Sequence, residues 1–435
     1  MAIVIRRIAW SLALAASAVM NQAPAQELQP IEPTPQGFRI HSFSLTGGYA
    51  SSGLIAPLSS VVTTNAPEYY GSAILSVGYT RTRNSRNTSL LYDAEYLRRF
   101  RISNLDAFVH RLRFITSGDL RPRWSGYFRV WASDSHIDQL LLTPTGFEFS
   151  TDPMLPDEGI AGGQAAAASN AVIFGDRVFN ASIGTGLAFQ KTERTRLGFH
   201  LGGDRTQGLR SEAPEPIGRL PLMPQSTVAS ARFEIEHAAS PRTDLAFRAT
   251  TFRTFSRLSA VYLSDLTLSA ERRLSPNWFG NLSGGASMLK PVRMADPSRN
   301  RQTYGYNALV GLGRRTRTST VFASAARRLG DTFGFGGHYS DSVSLTASWH
   351  HPNRRWGAIA SGYAFRTRIP DARDLTGWQG TGSLVRNLGN HLAVTLTYGY
   401  LKSAMAITGD SRYIQGHTAQ ITLSWLPLGV ARRMN

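Results

Sequence analysis

Hydrophobic and small polar residues alternate along most of this chain in short segments, and turn-forming clusters separate the segments. In the clearest segment, 417–425, the apolar positions are Ala419, Ile421, Leu423 and Trp425, and the polar positions between them are Thr418, Gln420, Thr422 and Ser424. Successive side chains of a β-strand point to opposite faces, so each such segment predicts a strand with one apolar and one polar face. Segments of about ten residues with this alternation are typical of transmembrane β-barrels.

The alternation predicts eighteen strands, or sixteen if one hairpin has been divided too finely. The predicted strand cores are 38–50, 71–82, 88–99, 107–117, 123–134, 179–190, 196–206, 226–238, 244–255, 260–273, 278–290, 303–314, 318–328, 342–350, 355–367, 376–387, 391–402 and 414–425. Short and long connections mostly alternate, as in barrels with short periplasmic turns and long external loops. We therefore predict an all-β fold, a single antiparallel transmembrane β-barrel with both termini on the periplasmic side.

The N-terminal residues have the pattern of an export signal. Arg6 and Arg7 precede a mostly apolar stretch at 8–20, and small residues at 23 and 25 have the spacing of a cleavage site. The sequence therefore predicts a signal peptide at 1–25, a Pro-rich periplasmic leader at 26–37 and the barrel at 38–428. No later segment has the roughly 20 predominantly apolar residues that a spanning helix needs.

Charge narrows the range of partners. The formal net charge is +18, almost all of the positive charge is arginine, and the chain has no cysteine. A strongly basic protein attracts anionic partners, although a genome rich in arginine codons would give the same composition. An exported protein rarely meets nucleic acid, so we expect none as a partner. Outer-membrane lipid, anionic solutes and acidic polysaccharides are the expected partners.

The same alternation predicts which charged side chains point into the barrel. If the large apolar residues face lipid, the pore-lining positions are Asp93, Glu95, Arg99, Arg111, Arg113, Arg129, Arg232, Glu234, Glu236, Arg248, Asp265, Glu271 and Arg273. A hairpin centred near residue 103 would place Asp93 opposite Arg113. It would also place Glu95 opposite Arg111, with Arg129 beside Arg111 on the next strand.

Two interpretations of these charges remain open. The arginines form a selectivity surface that draws anions through the pore, or opposite charges pair across strands and keep the wall rigid. We favour pairing for Asp93 and Glu95, and we weigh a pore-lining role for Arg111, Arg113 and Arg129 equally against it.

The connection at 138–178 is the longest and is acidic, with Asp152, Asp157 and Glu158 among its residues. Long loops in compact folds are usually functional or disordered. By analogy with general porins, this loop would fold inward and form a constriction against the arginines. The alternative is a solvated external lid.

The sequence contains no motif that indicates catalysis, so we expect neither an enzyme nor a cofactor. The patterns G-x-S-x-G and H-E-x-x-H are absent. The adjacent His350 and His351 would point to opposite sides of a strand, which makes them a poor metal pair.

With its export signal, its eighteen segments and a closing strand that ends at Trp425, the mature chain resembles the porin-like outer-membrane β-barrels of Gram-negative bacteria. It departs from them in the residues LPLGVARRMN that follow Trp425. In strand number and arginine content it is also similar to the eighteen-stranded barrels of polysaccharide secretion, a likeness of architecture alone.

These resemblances imply an outer-membrane channel. Its lumen would pass anionic solutes or export an acidic polysaccharide, and in the second case a periplasmic secretion partner is expected. The alternative is a barrel without pore activity, either an enzyme acting on lipid or peptide or an assembly scaffold.

Overall fold

The computed structural model of the chain is a closed antiparallel barrel of 18 strands. It describes residues 36–51, 67–83, 85–100, 106–136, 177–209, 226–256, 260–293, 301–331, 337–353, 355–368, 374–405 and 412–427. Within these ranges, no helix is long and apolar enough to span a membrane. The predicted strand number of eighteen is confirmed.

Each strand pairs with its neighbours in chain order, and the first strand also pairs with the last, which closes the ring. The strands are β1 (Gly37–Ala50), β2 (Glu68–Arg83), β3 (Arg86–Arg99), β4 (Ala107–Arg121), β5 (Trp124–His136), β6 (Arg177–Thr192), β7 (Thr195–Leu209), β8 (Ser226–Ser240), β9 (Thr243–Ser256), β10 (Ala260–Arg273), β11 (Trp278–Arg293), β12 (Thr303–Arg315), β13 (Ser319–Asp331), β14 (Gly337–His350), β15 (Trp356–Arg368), β16 (Leu375–Asn387), β17 (Leu392–Met405) and β18 (Arg412–Trp425).

The predicted boundaries differ from the observed ones mainly at the end of the barrel that carries the long connections. There β14 begins at Gly337 rather than at 342, and β2 begins at Glu68 rather than at 71. At this rim the strands continue as paired backbone, although the apolar alternation that marks them in the sequence has ended. Most of the short connections lie at the opposite end. The sequence also places short connections at the long-connection end, at 101–105, 258–260 and 370–374, and in the structure the second of these joins Ser256 to Ala260. The periplasmic placement of the termini stays a prediction.

The outer face of the barrel is apolar and uncovered. On β17, Leu396 is 54% exposed and Tyr398 is 52% exposed, whereas Thr397 between them is 7% exposed. Water-soluble proteins rarely leave contiguous apolar surface uncovered. A face of this kind is suited to lipid, which is what the outward-pointing residues of transmembrane barrels contact.

Aromatic side chains form two bands on this outer face. Near the short-turn end, the rings of Trp124 and Phe189 lie 4.9 Å apart between centroids. Near the long-connection end, Trp378 and Tyr400 lie 4.5 Å apart. Aromatic girdles at the two membrane interfaces have this arrangement.

The seam where β1 meets β18 carries a side-chain bridge on its inner face. The Tyr70 hydroxyl on β2 reaches across β1 and donates to Oε1 of Gln420 on β18 at 3.1 Å. The ring of Tyr70 passes over Gly48 of β1, and a Cβ atom at that position would overlap the ring. Because Gly48 has no side chain, Tyr70 can cross β1 and link β2 to β18 where the barrel closes.

Between β12 and β13 the wall opens towards the long-connection end. The pairing between them ends at Ala308 of β12 and Arg327 of β13, although each strand continues towards the long-connection end. Beyond this point Leu329 of β13 is 3% exposed and packs with Val261 of β10 and Leu289 of β11. Both partners lie on the inner face. The described ends of β13 and β14, at Leu329 and Tyr339, therefore lie against the inner face of the wall.

Several predicted segments lie outside the described residues. These are the signal peptide at 1–25, most of the leader at 26–37, and the greater part of the loop at 138–178 with Asp152, Asp157 and Glu158. The last two residues of that predicted loop, Arg177 and Val178, belong to β6.

Candidate functional site

The inner face of the barrel has two unlike halves. One half, which we call the charged wall, consists of the inward-facing ionisable residues of β2–β10. The other half, the hydroxyl wall, consists of the inward-facing Ser, Thr and Gln residues of β14–β18 and β1. In the closed ring, β5 lies half-way round from β14, and β9 lies half-way round from β18. The two walls therefore face each other across the lumen.

Strand register places every predicted lumen residue on the charged wall. Its members include Glu68, Asp93, Glu95, Arg99, Arg111, Arg113, Asp119, Arg129, Arg196, His200, Asp204, Arg232, Glu234, Glu236, Asp244, Arg248, Asp265, Glu271 and Arg273. Acidic and basic residues are thus intermixed, and the wall is not a continuous arginine ladder.

Burial varies along this wall: Arg99 is 2% exposed and Asp244 and Glu271 are exposed, but three of the carboxylates are buried. Glu68, Glu95 and Glu234 are 2%, 4% and 3% exposed. Among the arginines, the side chain of Arg111 is 30% exposed, and Arg113 is in the exposed class. At the middle of the barrel, the lumen therefore presents guanidinium groups in front of buried carboxylates.

The predicted register between β3 and β4 is wrong by two residues. Arg111 lies opposite Asp93, and Arg113 lies opposite Leu91, because the hairpin is centred one residue earlier than predicted. The ion pair between Arg111 and Glu95 does form, with Nη2 and Oε2 2.7 Å apart, but it runs diagonally across the strands. The carboxylate of Asp93 instead accepts a hydrogen bond from the Ser76 hydroxyl on β2.

Arg129 does not lie beside Arg111, contrary to prediction. Its neighbours across the two adjacent strands are Ile115 on β4 and Gly184 on β6. A Cβ atom on Gly184 would lie 2.8 Å from Nε of Arg129. The glycine therefore leaves room for the guanidinium group of Arg129 to lie along the wall, and no register shift occurs at this point.

A second cluster on β5–β9 is centred on Glu234. Its carboxylate accepts a hydrogen bond from Nε of Arg248, and Nε of Arg232 lies 3.9 Å away. Nε2 of His200 lies 3.8 Å from the same carboxylate. The other ring nitrogen of His200 is hydrogen-bonded to the Tyr127 hydroxyl at 3.0 Å. Sequence reasoning identified both arginines and Glu234 but missed His200 and Tyr127. The only sequence signal for these two residues is their position on the inward-facing side of the alternating pattern.

Near the long-connection end, the charged wall contains a buried ion pair that was also missed. Nη1 of Arg99 and Oε2 of Glu68 are 2.8 Å apart, and both side chains are 2% exposed. The backbone N–H of Arg99 also donates to Asp106 at 2.7 Å. Arg99 faces inward as predicted, but it is buried and does not line the pore. Glu68 lies outside the predicted strand core 71–82, because the apolar alternation begins after it.

The hydroxyl wall carries no Asp, Glu, Lys or Arg at the inward positions of β14–β18 whose side chains the structure describes. Its members are Ser340, Ser342, Ser344, Thr346, Ser348, Ser361, Gln379, Thr381, Ser383, Thr395, Thr397, Thr418, Gln420, Thr422, Ser424, Ser42, Ser44 and Thr46. Most of these residues are small, and β15 adds the larger Tyr363 and Phe365 to the same inner face, with ring centroids 5.8 Å apart.

These properties define a class of protein. A closed antiparallel barrel with an uncovered apolar exterior, two aromatic bands and a polar lumen is an outer-membrane β-barrel of the porin type. The predicted class is confirmed.

Comparison with solved structures finds outer-membrane proteins of Pseudomonas aeruginosa. The structure of OccK2 (OpdF) in complex with glucuronate matches with a TM-score of 0.48 and 11% sequence identity, covering 90% of this chain and 100% of that chain. The outer membrane protein OpdK matches with a TM-score of 0.46 and 10% identity, covering 89% and 98% of the two chains. No family model matches the chain, and no curated protein gives a significant sequence match.

Proposed function

We propose that this protein is a channel of the bacterial outer membrane through which small anionic solutes pass. The observation that carries the proposal is the arrangement of the charged wall, where exposed arginines stand in front of buried carboxylates. The proposal assigns no catalytic step to the chain and needs no cofactor.

The charged groups nearest to the solute path decide which ions the channel favours. A buried carboxylate such as Glu234 is hydrogen-bonded to Arg248 and lies away from the solute path. The exposed Arg113 and the half-buried Arg129 lie closer to that path. Rings or lines of arginine along a pore favour anions over cations, and a low-dielectric wall focuses their field on the water-filled lumen.

At the long-connection end, Leu329 of β13 and Tyr339 of β14 pack on the inner face of β10 and β11 and take up part of the width of the lumen. Inward folding of the loop at 138–178 would narrow it further, and this loop stays a prediction. A narrowed lumen with a charged wall favours solutes of small size over free passage of proteins or lipids.

Current through the purified barrel in a planar bilayer under a KCl gradient tests the proposal. We expect a reversal potential of the sign given by chloride permeation. The double variant R113E/R129E is expected to lower the chloride-to-potassium permeability ratio by more than about fivefold per residue, because loss of a unit charge about 4 Å from an ion in water contributes about 1 kcal/mol and the added carboxylate acts in the same direction.

The control is R272E, since Arg272 is an exposed arginine of β10 on the outer face. It should leave the permeability ratio unchanged. A wild-type channel that prefers potassium would contradict the proposal. An equal change in R272E and R113E/R129E would contradict the role of the charged wall.

Export of an acidic polysaccharide, with a periplasmic secretion partner, is the second candidate. The observation that favours it is the uncharged hydroxyl wall facing the arginines, because a chain of acidic sugars carries both carboxylates and many hydroxyl groups. Acidic oligosaccharides of increasing length, added at the short-turn side, distinguish the two functions. Current blockades that lengthen with chain length are expected of an exporter, whereas a diffusion channel should exclude the longer chains.

A further inference from the structure

The hydroxyl wall is more than an uncharged surface, because its side chains are arranged in pairs across neighbouring strands. Five pairs of hydroxyl oxygens lie within hydrogen-bond distance, including one on β13–β14. They are Ser44–Ser424 at 2.9 Å, Thr46–Thr422 at 2.9 Å, Ser324–Ser344 at 2.7 Å, Ser361–Thr381 at 2.6 Å and Ser383–Thr397 at 2.9 Å.

A hydroxyl pair has hydrogen-bonding capacity left over. Each hydroxyl group has one donor and two acceptor positions, and the contact within a pair uses one donor and one acceptor. The accepting hydroxyl keeps its own O–H, and the donating hydroxyl keeps its lone pairs. Each pair on the wall can therefore both donate to and accept from a solute in the lumen. These are the two roles that an alcohol group of a solute needs its partner to fill.

Charge divides the two halves of the lumen. Carboxylates and guanidinium groups hold an ion strongly, but they offer a neutral alcohol only acceptors or only donors. The inward side chains described on β14–β18 include no Asp, Glu, Lys or Arg, whereas β1 contributes the inward-facing Arg39 at its first residues. A solute with a carboxylate on one side and alcohols along its length matches both walls at once.

We propose that the substrates of this channel are polyhydroxylated carboxylates, the chemical class of the sugar acids, which contact the charged wall through the carboxylate and the hydroxyl wall through their alcohol groups. This proposal rests on the proposed function as an anion channel. It adds a preference among anions of equal charge and similar carbon number.

Permeability ratios of two matched anions test the proposal. Gluconate and hexanoate have the same number of carbon atoms and one carboxylate each, and only gluconate carries alcohol groups along its chain. Reversal potentials measured with gluconate on one side of the bilayer and hexanoate on the other give their permeability ratio. We expect gluconate to be favoured despite its larger size, by about threefold or more, which corresponds to one net hydrogen bond.

The variant T381V/S383A/T422V removes three hydroxyl groups of the wall and keeps the side-chain volumes close to those of the native residues. It should abolish the preference and leave the chloride-to-potassium ratio unchanged. The matched control is T251V/S264A, which removes a hydroxyl pair of 3.2 Å on the outer face between β9 and β10. This control should keep the preference.

Each outcome decides between the two claims. An anion-selective channel that favours hexanoate, or a preference that survives in T381V/S383A/T422V, would overturn the substrate proposal and leave the anion channel standing. A barrel that does not select chloride over potassium would overturn the anion channel itself, and the substrate proposal with it.

Discussion

Replacing Arg99 with methionine is expected to lower the free energy of unfolding of the barrel by about 3–5 kcal/mol. The guanidinium group of Arg99 lies 2.8 Å from the carboxylate of Glu68, and both side chains are 2% exposed. The substitution takes a guanidinium group away from a carboxylate that stays buried, which costs far more than the loss of an exposed ion pair. Urea unfolding of the refolded barrel in lipid vesicles, followed by tryptophan fluorescence, measures the change.

Two further variants serve as the controls for R99M. R98M removes an exposed arginine of the same strand, whose guanidinium group lies 5.9 Å from the centre of the Phe100 ring, and should cost less than about 1 kcal/mol. The double variant E68Q/R99M should regain part of the lost stability, because both charges of this pair are then absent. If R99M were as stable as R98M, the buried ion pair would not support this part of the wall.

Alanine at position 48 is expected to destabilise the barrel by about 1–3 kcal/mol, the cost of overpacking a filled site. The added Cβ atom would overlap the ring of Tyr70 and displace its hydroxyl from Gln420, 3.1 Å away. The neighbouring Gly47 is the matched control, since a Cβ atom there meets nothing within 4 Å. G47A should unfold at the same urea concentration as the wild type.

The overlap also predicts that the effects of two substitutions are not additive. With Tyr70 already replaced by alanine, the Cβ atom of G48A has no ring to displace. The double variant G48A/Y70A should therefore be about as stable as Y70A alone, as expected for residues in direct contact. Additive losses would show that Gly48 matters for strand conformation and not for the space that it gives Tyr70.

The fold could be predicted from the sequence because lipid outside and water inside impose a period of two on every strand. The segment 260–273 was predicted as a strand, and β10 spans these residues. A register error of one residue would turn every apolar side chain towards the lumen, so the alternation fixes which face each residue occupies. All thirteen charged residues assigned to the lumen from the sequence accordingly lie on the inner face.

The pairing within the site could not be predicted by the same means. A shift of two residues keeps every side chain on its face, and the alternation cannot distinguish the two registers. This is why Asp93 was placed opposite Arg113, whereas it lies opposite Arg111. Diagonal contacts such as Arg111 to Glu95 depend on the register and on side-chain length together.

The sequence also could not predict that the two halves of the lumen differ in charge. Ser, Thr and Gly alternate with apolar residues in 342–350 and 391–402, and this pattern indicated only a polar inner face. The significance of the hydroxyl wall depends on which strands stand opposite one another, and that follows from closure between β1 and β18. Likewise, no sequence motif marks His200 or Tyr127, and only the register brings His200 to Glu234 and Tyr127 to His200.

Thiol labelling of single-cysteine variants tests most directly that the two walls line one water-filled lumen. The chain has no native cysteine, so each variant reports one position. On the charged wall the pair is Arg113→Cys and Leu112→Cys, and on the hydroxyl wall it is Ser383→Cys and Leu384→Cys. A charged methanethiosulfonate reagent is added to the reconstituted barrel while the current is recorded. We predict rapid labelling and a drop in current for R113C and S383C, and neither effect for L112C and L384C. Labelling of the leucine positions, or of only one of the two walls, would contradict the account.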